Sequence, residues 1–178
     1  MLFDLMDADI ERDALEVALS GRGEYELFPC DPALADTAAF CAAYGFALED
    51  SANTIVVIGK SNPPVFAACV VLATHRLDVN RAVREQLGTR KASFAPAEET
   101  RVITGHEIGG VTVFGLPEDL PILVDAAVMS RPRIVLGGGS RSWKVIAPPS
   151  ILLTLPNVAV IDGLANPALP RESSADPT

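Results

Sequence analysis

The chain has few of the residues that form covalent or metal cross-links. Its three cysteines, Cys30, Cys41 and Cys69, make no CxxC pair, and its two histidines, His75 and His106, have no HxxxH spacing. This pattern argues against a disulfide framework and against a metal site built on one motif. We expect the cysteines to be small buried residues. Neither Cys41 nor Cys69 has a visible histidine partner, so we do not expect a cysteine nucleophile.

The chain also lacks a membrane segment. Its longest uncharged run covers residues 145–161 and contains Pro148, Pro149 and Pro156, which a membrane-spanning helix would not tolerate. The first residues carry acids where a signal peptide needs basic residues. We therefore expect a cytoplasmic protein with no membrane partner.

Aromatic residues make up only 6% of the chain, whereas hydrophobic residues make up 49% and charged residues 21%. These proportions exclude a disordered or collagenous chain and predict an aliphatic core. A length of 178 residues is typical of one domain.

The acidic charge is concentrated at the beginning of the chain. Residues 1–50 hold twelve Asp and Glu against two Arg, whereas residues 51–163 hold nine acids against eleven bases. The net charge of -9 gives no general attraction for nucleic acid, but the second segment can still form a local basic patch. The alternative is that these bases only solvate a helix face. The candidates are Arg76, Arg81, Arg84, Arg90, Lys91 and Arg101.

Hydrophobic spacing and capping residues predict four helices and seven strands. The predicted helices cover residues 7–20, with Asp7 or Asp9 as N-cap, then 36–44, 78–87 and 96–103. The predicted strands cover 25–28, 54–58, 65–73, 122–124, 134–136, 143–146 and 158–161. Strands 54–58 and 65–73 flank the turn-former GKSNPP and should form a central hairpin. We expect one domain over residues 1–163 and a disordered tail over residues 164–178.

Two glycine-rich loops stand out. Residues 104–115 hold four glycines, whose unobstructed backbone amides can stabilise a developing negative charge, although such a loop is often only a tight turn. The second loop, Gly137 to Ser140, follows a strand but lacks GxxxxGKS or GxxxxGKT, and a strand rather than a helix comes next. This pattern argues against a phosphate-binding loop and a dinucleotide site. We expect no cofactor.

The ordered motifs of the chain resemble a known family. DTAAFCAAYGF, NTIVVIGK, the DVN helix, KASFA, TGHEIGGVTVFGL, ILVDAAV and IVLGGGSRSWKV occur in the order found in YbaK-type aminoacyl-tRNA deacylases and in the editing domain of bacterial prolyl-tRNA synthetases. The loop TGHEIGGVTVFGL is similar to the family's TG-x-x-x-GG-x-x-P-x-G. The resemblance covers roughly residues 31–164.

The resemblance implies a fold, a reaction and partners. The fold is α+β, a single domain with a mixed, partly barrel-like sheet flanked by helices. The reaction is hydrolysis of the ester between a wrong small amino acid and the 3′ end of its tRNA. The partners are aminoacylated tRNA and, as a second candidate, an aminoacyl-tRNA synthetase. A second hydrolytic site is useful because a small apolar difference gives only about 1–3 kcal/mol at the synthetase itself.

The chain departs from the family at charged positions. The family has a lysine before a threonine on the first hairpin strand, where this chain has Asn53 and Thr54. Lys60 lies seven positions further, more than about 20 Å away along a strand, so it cannot be assumed to substitute. The family's loop proline is Val113 here, the small hydroxyl residue that opens the last loop is Gly137, and the acid sometimes found after that loop is Lys144.

Two hypotheses follow from the resemblance. In the first, the chain is an active hydrolase with its pocket between residues 53–58 and 104–115. It uses Gly109 and Gly110 amides, Thr54 and a water activated by the substrate, with Asn53 or Lys144 orienting the ester. In the second, it is a non-catalytic relative that binds tRNA or another aminoacylated ligand. The candidate substrate-binding residues are Gly105, Gly115, Asp125, Gly139, Arg141 and Lys144, and the candidate tRNA contacts are Arg81, Arg84, Arg90 and Lys91.

Three of these residues have ordinary structural alternatives. Thr54 is also a common strand residue, Asp125 can cap a strand end, and Arg141 can form a structural ion pair.

Overall fold

The computed structural model describes residues 2–168, with side chains from Ala8 onward. The helices are α1 (Leu2–Leu19), α2 (Thr37–Tyr44), α3 (Arg84–Gln86), α4 (Ala97–Thr104) and α5 (Ala126–Met129). The strands are β1 (Glu26–Pro29), β2 (Ala52–Gly59), β3 (Val65–Leu72), β4 (His75–Leu77), β5 (Ala92–Phe94), β6 (Ile122–Asp125), β7 (Ile134–Gly137), β8 (Trp143–Ala147), β9 (Val158–Ile161) and β10 (Ala165–Pro167). The predicted strands are all present, with ends shifted by a few residues.

The largest sheet has five strands in the order β5-β2-β3-β6-β9. Its centre is the predicted hairpin, in which β2 and β3 pair antiparallel along their whole length, from Ala52 opposite Leu72 to Gly59 opposite Val65. Strands β6 and β9 continue the sheet in parallel. All residues of β3 from Ala67 to Leu72 are buried, so both faces of this strand are covered, as its near-continuous hydrophobic run predicts.

A second sheet has the antiparallel order β1-β8-β7, and β10 pairs with β4 in a third. A single parallel bridge between Ser51 and Val135 joins the first two sheets. They do not close into a barrel within residues 2–168. The predicted α+β class with a mixed sheet flanked by helices is confirmed.

The helices differ from the sequence prediction in detail. Helix α1 begins before residue 7, so the prediction of Asp7 or Asp9 as its N-cap is wrong. The predicted helix 78–87 begins with a wide π-turn over Val79–Val83 and continues as α3. Its predicted N-cap is confirmed, because a carboxylate oxygen of Asp78 accepts a hydrogen bond from the Arg81 amide at 3.0 Å.

The core consists of three clusters. The largest lies between the two main sheets and α1, with Phe114, Ile122 and Leu152 fully buried. An aromatic cluster around Phe40 packs α2 against the three-stranded sheet. The third cluster covers the other face of the five-stranded sheet. Together they fix β2, α2 and β8, the elements that surround the site.

The chain continues in the fold beyond residue 163, contrary to the prediction of a disordered tail from residue 164. Leu164 is fully buried, and Ala165–Pro167 forms β10. Both oxygens of the Asp125 carboxylate also take part in fixing this region and the start of α5, because Oδ2 accepts from the Ala165 amide at 2.8 Å and Oδ1 from the Ala127 amide at 3.0 Å. Residues 169–178 of the predicted tail lie outside the described residues.

The three cysteines are free and buried, as predicted. Burial raises the pKa of the Cys69 thiol to about 12, so this residue is a thiol at neutral pH. No helix among the described residues is long and apolar enough to cross a membrane.

Candidate functional site

A cavity of about 350 Å³ lies beside β2, where the edge of the five-stranded sheet is open. Strand β5 pairs with β2 only at Val57–Gly59, and the bridge to β7 is at Ser51. The two flanking strands therefore leave a gap along the middle of β2. The lining residues are Asp36, Thr37, Phe40, Ser51, Ala52, Asn53, Thr54, Ile55, Val56, Phe94, Ala95, Thr100, Ile108, Gly109, Val111, Val135, Leu136, Gly137 and Lys144. The cavity lies between strand 53–58 and loop 104–115, where the sequence placed it.

The pairing of β2 directs the Thr54 peptide toward this gap. Ala73 donates its amide to the Ser51 carbonyl at 2.8 Å. In an antiparallel pair, every second residue directs its amide and its carbonyl to the same neighbouring strand. Because Ser51 bonds on the β3 side, the peptide groups of Ala52, Thr54 and Val56 face the opposite edge of β2. The amide of Ala95 bonds to the Val56 carbonyl at 2.9 Å on that edge. Strand β2 thus presents polar backbone groups to the cavity.

The Thr54 side chain is the most unusual group in the cavity. It is 9% exposed, and its hydroxyl oxygen is buried with no hydrogen-bond partner among the described residues. A buried hydroxyl without a partner costs about 1–3 kcal/mol. An ordinary strand position would be filled at lower cost by valine, so this hydroxyl is the kind of group that a ligand satisfies.

Asn53, which stands where the family has lysine, is held by α2. Its side-chain oxygen accepts a hydrogen bond from the Thr37 hydroxyl at 2.7 Å. With the oxygen engaged in this way, the amide nitrogen is the remaining polar group of the side chain. Asn53 can therefore donate a hydrogen bond in the cavity but brings no charge.

The cation of the cavity is Lys144, which enters from β8. Its side chain is 5% exposed, and its ammonium donates to the carbonyl of Ala35 at 2.6 Å and to that of Gly109 at 3.4 Å. It also lies 5.5 Å from the centre of the Phe40 ring. No described carboxylate lies within ion-pair distance of it. Burial lowers the pKa of Lys144 below its usual value.

The glycine loop presents a carbonyl to Lys144 rather than two amides to the cavity. Gly109 has a φ of 91°, which favours glycine, and its carbonyl faces the lysine. The Gly110 amide donates to the Glu107 carbonyl at 3.0 Å. The prediction that the Gly110 amide is free to bind a substrate oxygen is therefore wrong for this conformation. The Gly109 amide has no backbone partner within residues 2–168.

The two glycine loops are held together by backbone hydrogen bonds. Gly139 donates to the Gly110 carbonyl at 2.7 Å, and Glu107 donates to the Gly139 carbonyl at 3.2 Å. A side chain at Gly110 would collide with the backbone of Ser140. Gly110 thus contributes close packing between the loops rather than an amide in the cavity.

Arg141 fastens the rim of the cavity. Its guanidinium donates to the Pro32 carbonyl at 2.9 Å, to the Ile108 carbonyl at 3.3 Å and to the Asp36 carboxylate at 3.4 Å. These contacts tie the beginning of α2 to the glycine loop. The structural ion pair considered for Arg141 is present, and its guanidinium is engaged by protein groups.

Other predicted binding residues lie elsewhere. Gly105, Gly115 and Gly139 line a second cavity of about 460 Å³ between α1 and the glycine loop. His106 lines the same cavity, and burial lowers its pKa. Asp125 lines neither cavity and caps α5, the structural alternative given by the sequence. The positions of these residues do not support contact with a ligand in the first cavity.

None of the four predicted tRNA contacts lines the first cavity. Arg81 pairs with Asp78 at 3.4 Å and Arg84 approaches Glu85 at 4.0 Å, whereas Arg90 and Lys91 come directly before β5 and are exposed. Among the described residues, no group of three or more His, Cys, Asp or Glu could hold a metal ion.

Sequence reasoning missed several cavity residues. Thr37 and Phe40 were predicted only as part of a helix, and Ile108 only as part of a loop. Phe94 stands in the KASFA motif, so its motif was a usable signal. The contacts of Thr37 and Phe40 depend on how α2 packs on β2 and β8, which no local pattern gives.

The fold and the cavity define a small α+β domain with interlocked glycine loops beside one polar-lined cavity. The chain belongs to the aminoacyl-tRNA editing domain family, whose model matches residues 31–153. This membership places the chain in aminoacyl-tRNA editing.

Solved structures show the same fold. A protein described as a candidate trans-editing enzyme for prolyl tRNA synthetase is 24% identical, with a TM-score of 0.74 over 85% of this chain and 95% of that chain. The hypothetical protein APE2540 is 25% identical, with a TM-score of 0.75 over 84% of this chain and 97% of that chain.

Proposed function

We propose that the chain hydrolyses the ester between a small mischarged amino acid and the 3′ end of a tRNA. The observation that carries this proposal is that the unpartnered Thr54 hydroxyl and the buried Lys144 ammonium belong to residues that line the same cavity. The Thr54 hydroxyl has no partner among the described residues, and two of the three N–H donors of the Lys144 ammonium are bonded to the Ala35 and Gly109 carbonyls. An ester with its neighbouring amino and hydroxyl groups supplies partners for the hydroxyl and for the third N–H of the ammonium.

The cavity residues have complementary roles in this reaction. Lys144 and the Gly109 amide stabilise the negative charge that develops on the ester carbonyl oxygen. Thr54 and Asn53 orient the aminoacyl group by hydrogen bonds. Water, activated by the substrate itself, adds to the carbonyl carbon. The ester C–O bond then breaks, and the ribose oxygen takes up the proton and leaves as a hydroxyl.

The apolar wall limits the size of the amino acid. Phe40, Val56, Val135 and Leu136 line the same cavity of about 350 Å³. An aliphatic wall admits small apolar side chains and does not strongly reject a close homologue. The family resemblance to the prolyl editing domain fits a small amino acid, and the chain acts in trans on released tRNA in the cytoplasm.

The deciding experiment is a deacylation screen with tRNAs mischarged with Ala, Ser, Cys, Val or Thr, together with their correctly charged forms. We expect rapid release of at least one small amino acid and slow release from the correctly charged tRNAs. Turnover of none of these substrates, with tRNA binding retained, would contradict hydrolysis and favour the binding-only alternative. That alternative draws on Asn53, which replaces the family lysine and is held by Thr37.

Gly110→Val tests the packing of the glycine loops. The new side chain would collide with the Ser140 backbone and displace the loop that carries Gly109. A displacement of about 1 Å at a catalytic centre can cost about 100-fold in rate, so we expect a loss of this size in single-turnover deacylation.

The matched control is Glu98→Gln on α4, which removes only an exposed ion pair with Arg101. Its deacylation rate should equal that of the wild type. Equal rates for Gly110→Val and Glu98→Gln would show that the loop packing does not support the site.

A further inference from the structure

An exposed aromatic residue stands at the mouth of the cavity. Phe94, the last residue of β5, is 57% exposed while it also lines the cavity, and Ile108 on the glycine loop is 54% exposed. Large apolar side chains at one opening are unusual on a surface that faces only water. The flat face of a phenylalanine is a platform on which any nucleobase can stack.

The other end of β5 is basic. Arg90 and Lys91 come directly before Ala92, and the Lys60 amide donates to the Lys91 carbonyl at 2.8 Å, which brings a third cation to the same place. All three residues are exposed, and none pairs with a carboxylate among the described residues. Arg81 and Arg84, by contrast, each have a neighbouring acid.

Strand β5 connects these two features. It is the edge strand of the five-stranded sheet, and Lys91 and Phe94 are three residues apart, which is about 10 Å along a strand. Beyond Phe94, α4 begins with Glu98 and Glu99, which repel phosphates. A nucleic acid strand is therefore attracted from the Lys91 end and reaches the cavity at Phe94.

We propose that the single-stranded 3′ end of tRNA lies along β5, with its terminal base on Phe94 and the preceding phosphates beside Lys60, Arg90 and Lys91. This inference rests on the proposed function, because the terminal ribose then carries its ester into the cavity. It also separates the four basic residues predicted from the sequence, since Arg90 and Lys91 contact the RNA and the acid-paired Arg81 and Arg84 do not.

The test measures binding of a fluorescent single-stranded RNA ending in CCA by anisotropy, with the full chain and without any need for turnover. Phe94→Leu keeps an apolar residue but removes the ring, so affinity should fall about 10-fold. The loss should disappear for the same RNA without its terminal adenosine. Arg90→Glu with Lys91→Glu should weaken binding and reduce its salt dependence.

The control pair is Arg81→Glu with Arg84→Glu, which makes the same change of charge on the neighbouring helix. Equal losses for both pairs, or unchanged binding in Phe94→Leu, would overturn the proposed path. The outcome is distinct from that of the deacylation screen. If the variants change RNA binding as expected but the chain does not turn over mischarged tRNA, the proposed hydrolysis is wrong and the proposed RNA path stands. If the chain turns over mischarged tRNA but none of these variants changes RNA binding, only the proposed RNA path is wrong.

Discussion

Lys144→Met should lower the rate of deacylation between about 100-fold and 1000-fold, the usual cost of removing one group that stabilises an oxyanion. Methionine has nearly the length of lysine and no charge, so the cavity stays filled while the ammonium is lost. The measurement is the single-turnover rate on the mischarged tRNA that the wild type hydrolyses fastest. A cooperative thermal transition would show that the variant is folded.

The pH dependence adds a second readout for the same residue. Burial lowers the pKa of Lys144 from its usual 10.5, so the ammonium is lost at a lower pH than for an exposed lysine. Activity should therefore fall as pH rises through this lowered pKa, and Lys144→Met should lack this limb. The unfolded chain binds the proton more tightly, so the free energy of unfolding should rise with pH between the lowered pKa and 10.5.

Moving the charge back to β2 tests whether a cation in the cavity is what matters. The double variant Asn53→Lys with Lys144→Glu restores the family's placement of lysine on β2 and an acid on β8, and it should recover part of the activity that Lys144→Met loses. Asn53→Lys alone should raise the deacylation rate of the wild type by a smaller factor than the double variant raises that of Lys144→Met. The reason is that Asn53→Lys alone brings two ammonium groups into one cavity. A Lys144→Met variant with the wild-type rate would show that Lys144 takes no part in the reaction.

The sequence predicts the elements of this fold well because their signals are local. The hairpin of β2 and β3 follows from two β-rich runs around GKSNPP, and α2 ends at Gly45 in the left-handed conformation, as its glycine indicates. The π-turn at Val79–Val83 has no such signal. The burial of Leu164 also has no local sequence signal, since it depends on pairing between β10 and the distant β4.

The site is less predictable because its contacts cross the fold. The sequence marks Asn53 and Lys144 as departures from the family, yet it does not show that Lys144 lies against the Gly109 carbonyl. Two hydrogen bonds orient the Gly109–Gly110 peptide: the Gly110 amide donates to the nearby Glu107 carbonyl, and the distant Lys144 ammonium donates to the Gly109 carbonyl. Glycine composition predicts flexible backbone amides but not which way each peptide points.

Thr54→Val should make the protein more stable and less active. The Thr54 hydroxyl is buried without a partner, so a methyl group in its place removes an unsatisfied polar atom and should raise the free energy of unfolding by about 1 kcal/mol. The same change removes a hydrogen bond to the aminoacyl group, which should lower the deacylation rate about 10-fold. Urea unfolding and single-turnover deacylation measure the two effects.

Thr104→Val is the matched control, because Thr104 is also a buried threonine but its hydroxyl is fully used. It donates to the Thr100 carbonyl at 2.7 Å and accepts from the His106 amide at 3.1 Å. Valine there leaves the His106 amide without a partner and removes the side-chain hydrogen bond to the Thr100 carbonyl, so it should lower the free energy of unfolding by about 1–3 kcal/mol. If Thr54→Val is destabilising to the same extent, the Thr54 hydroxyl has a structural partner. If Thr54→Val is more stable but keeps the wild-type rate, the hydroxyl does not contact the substrate.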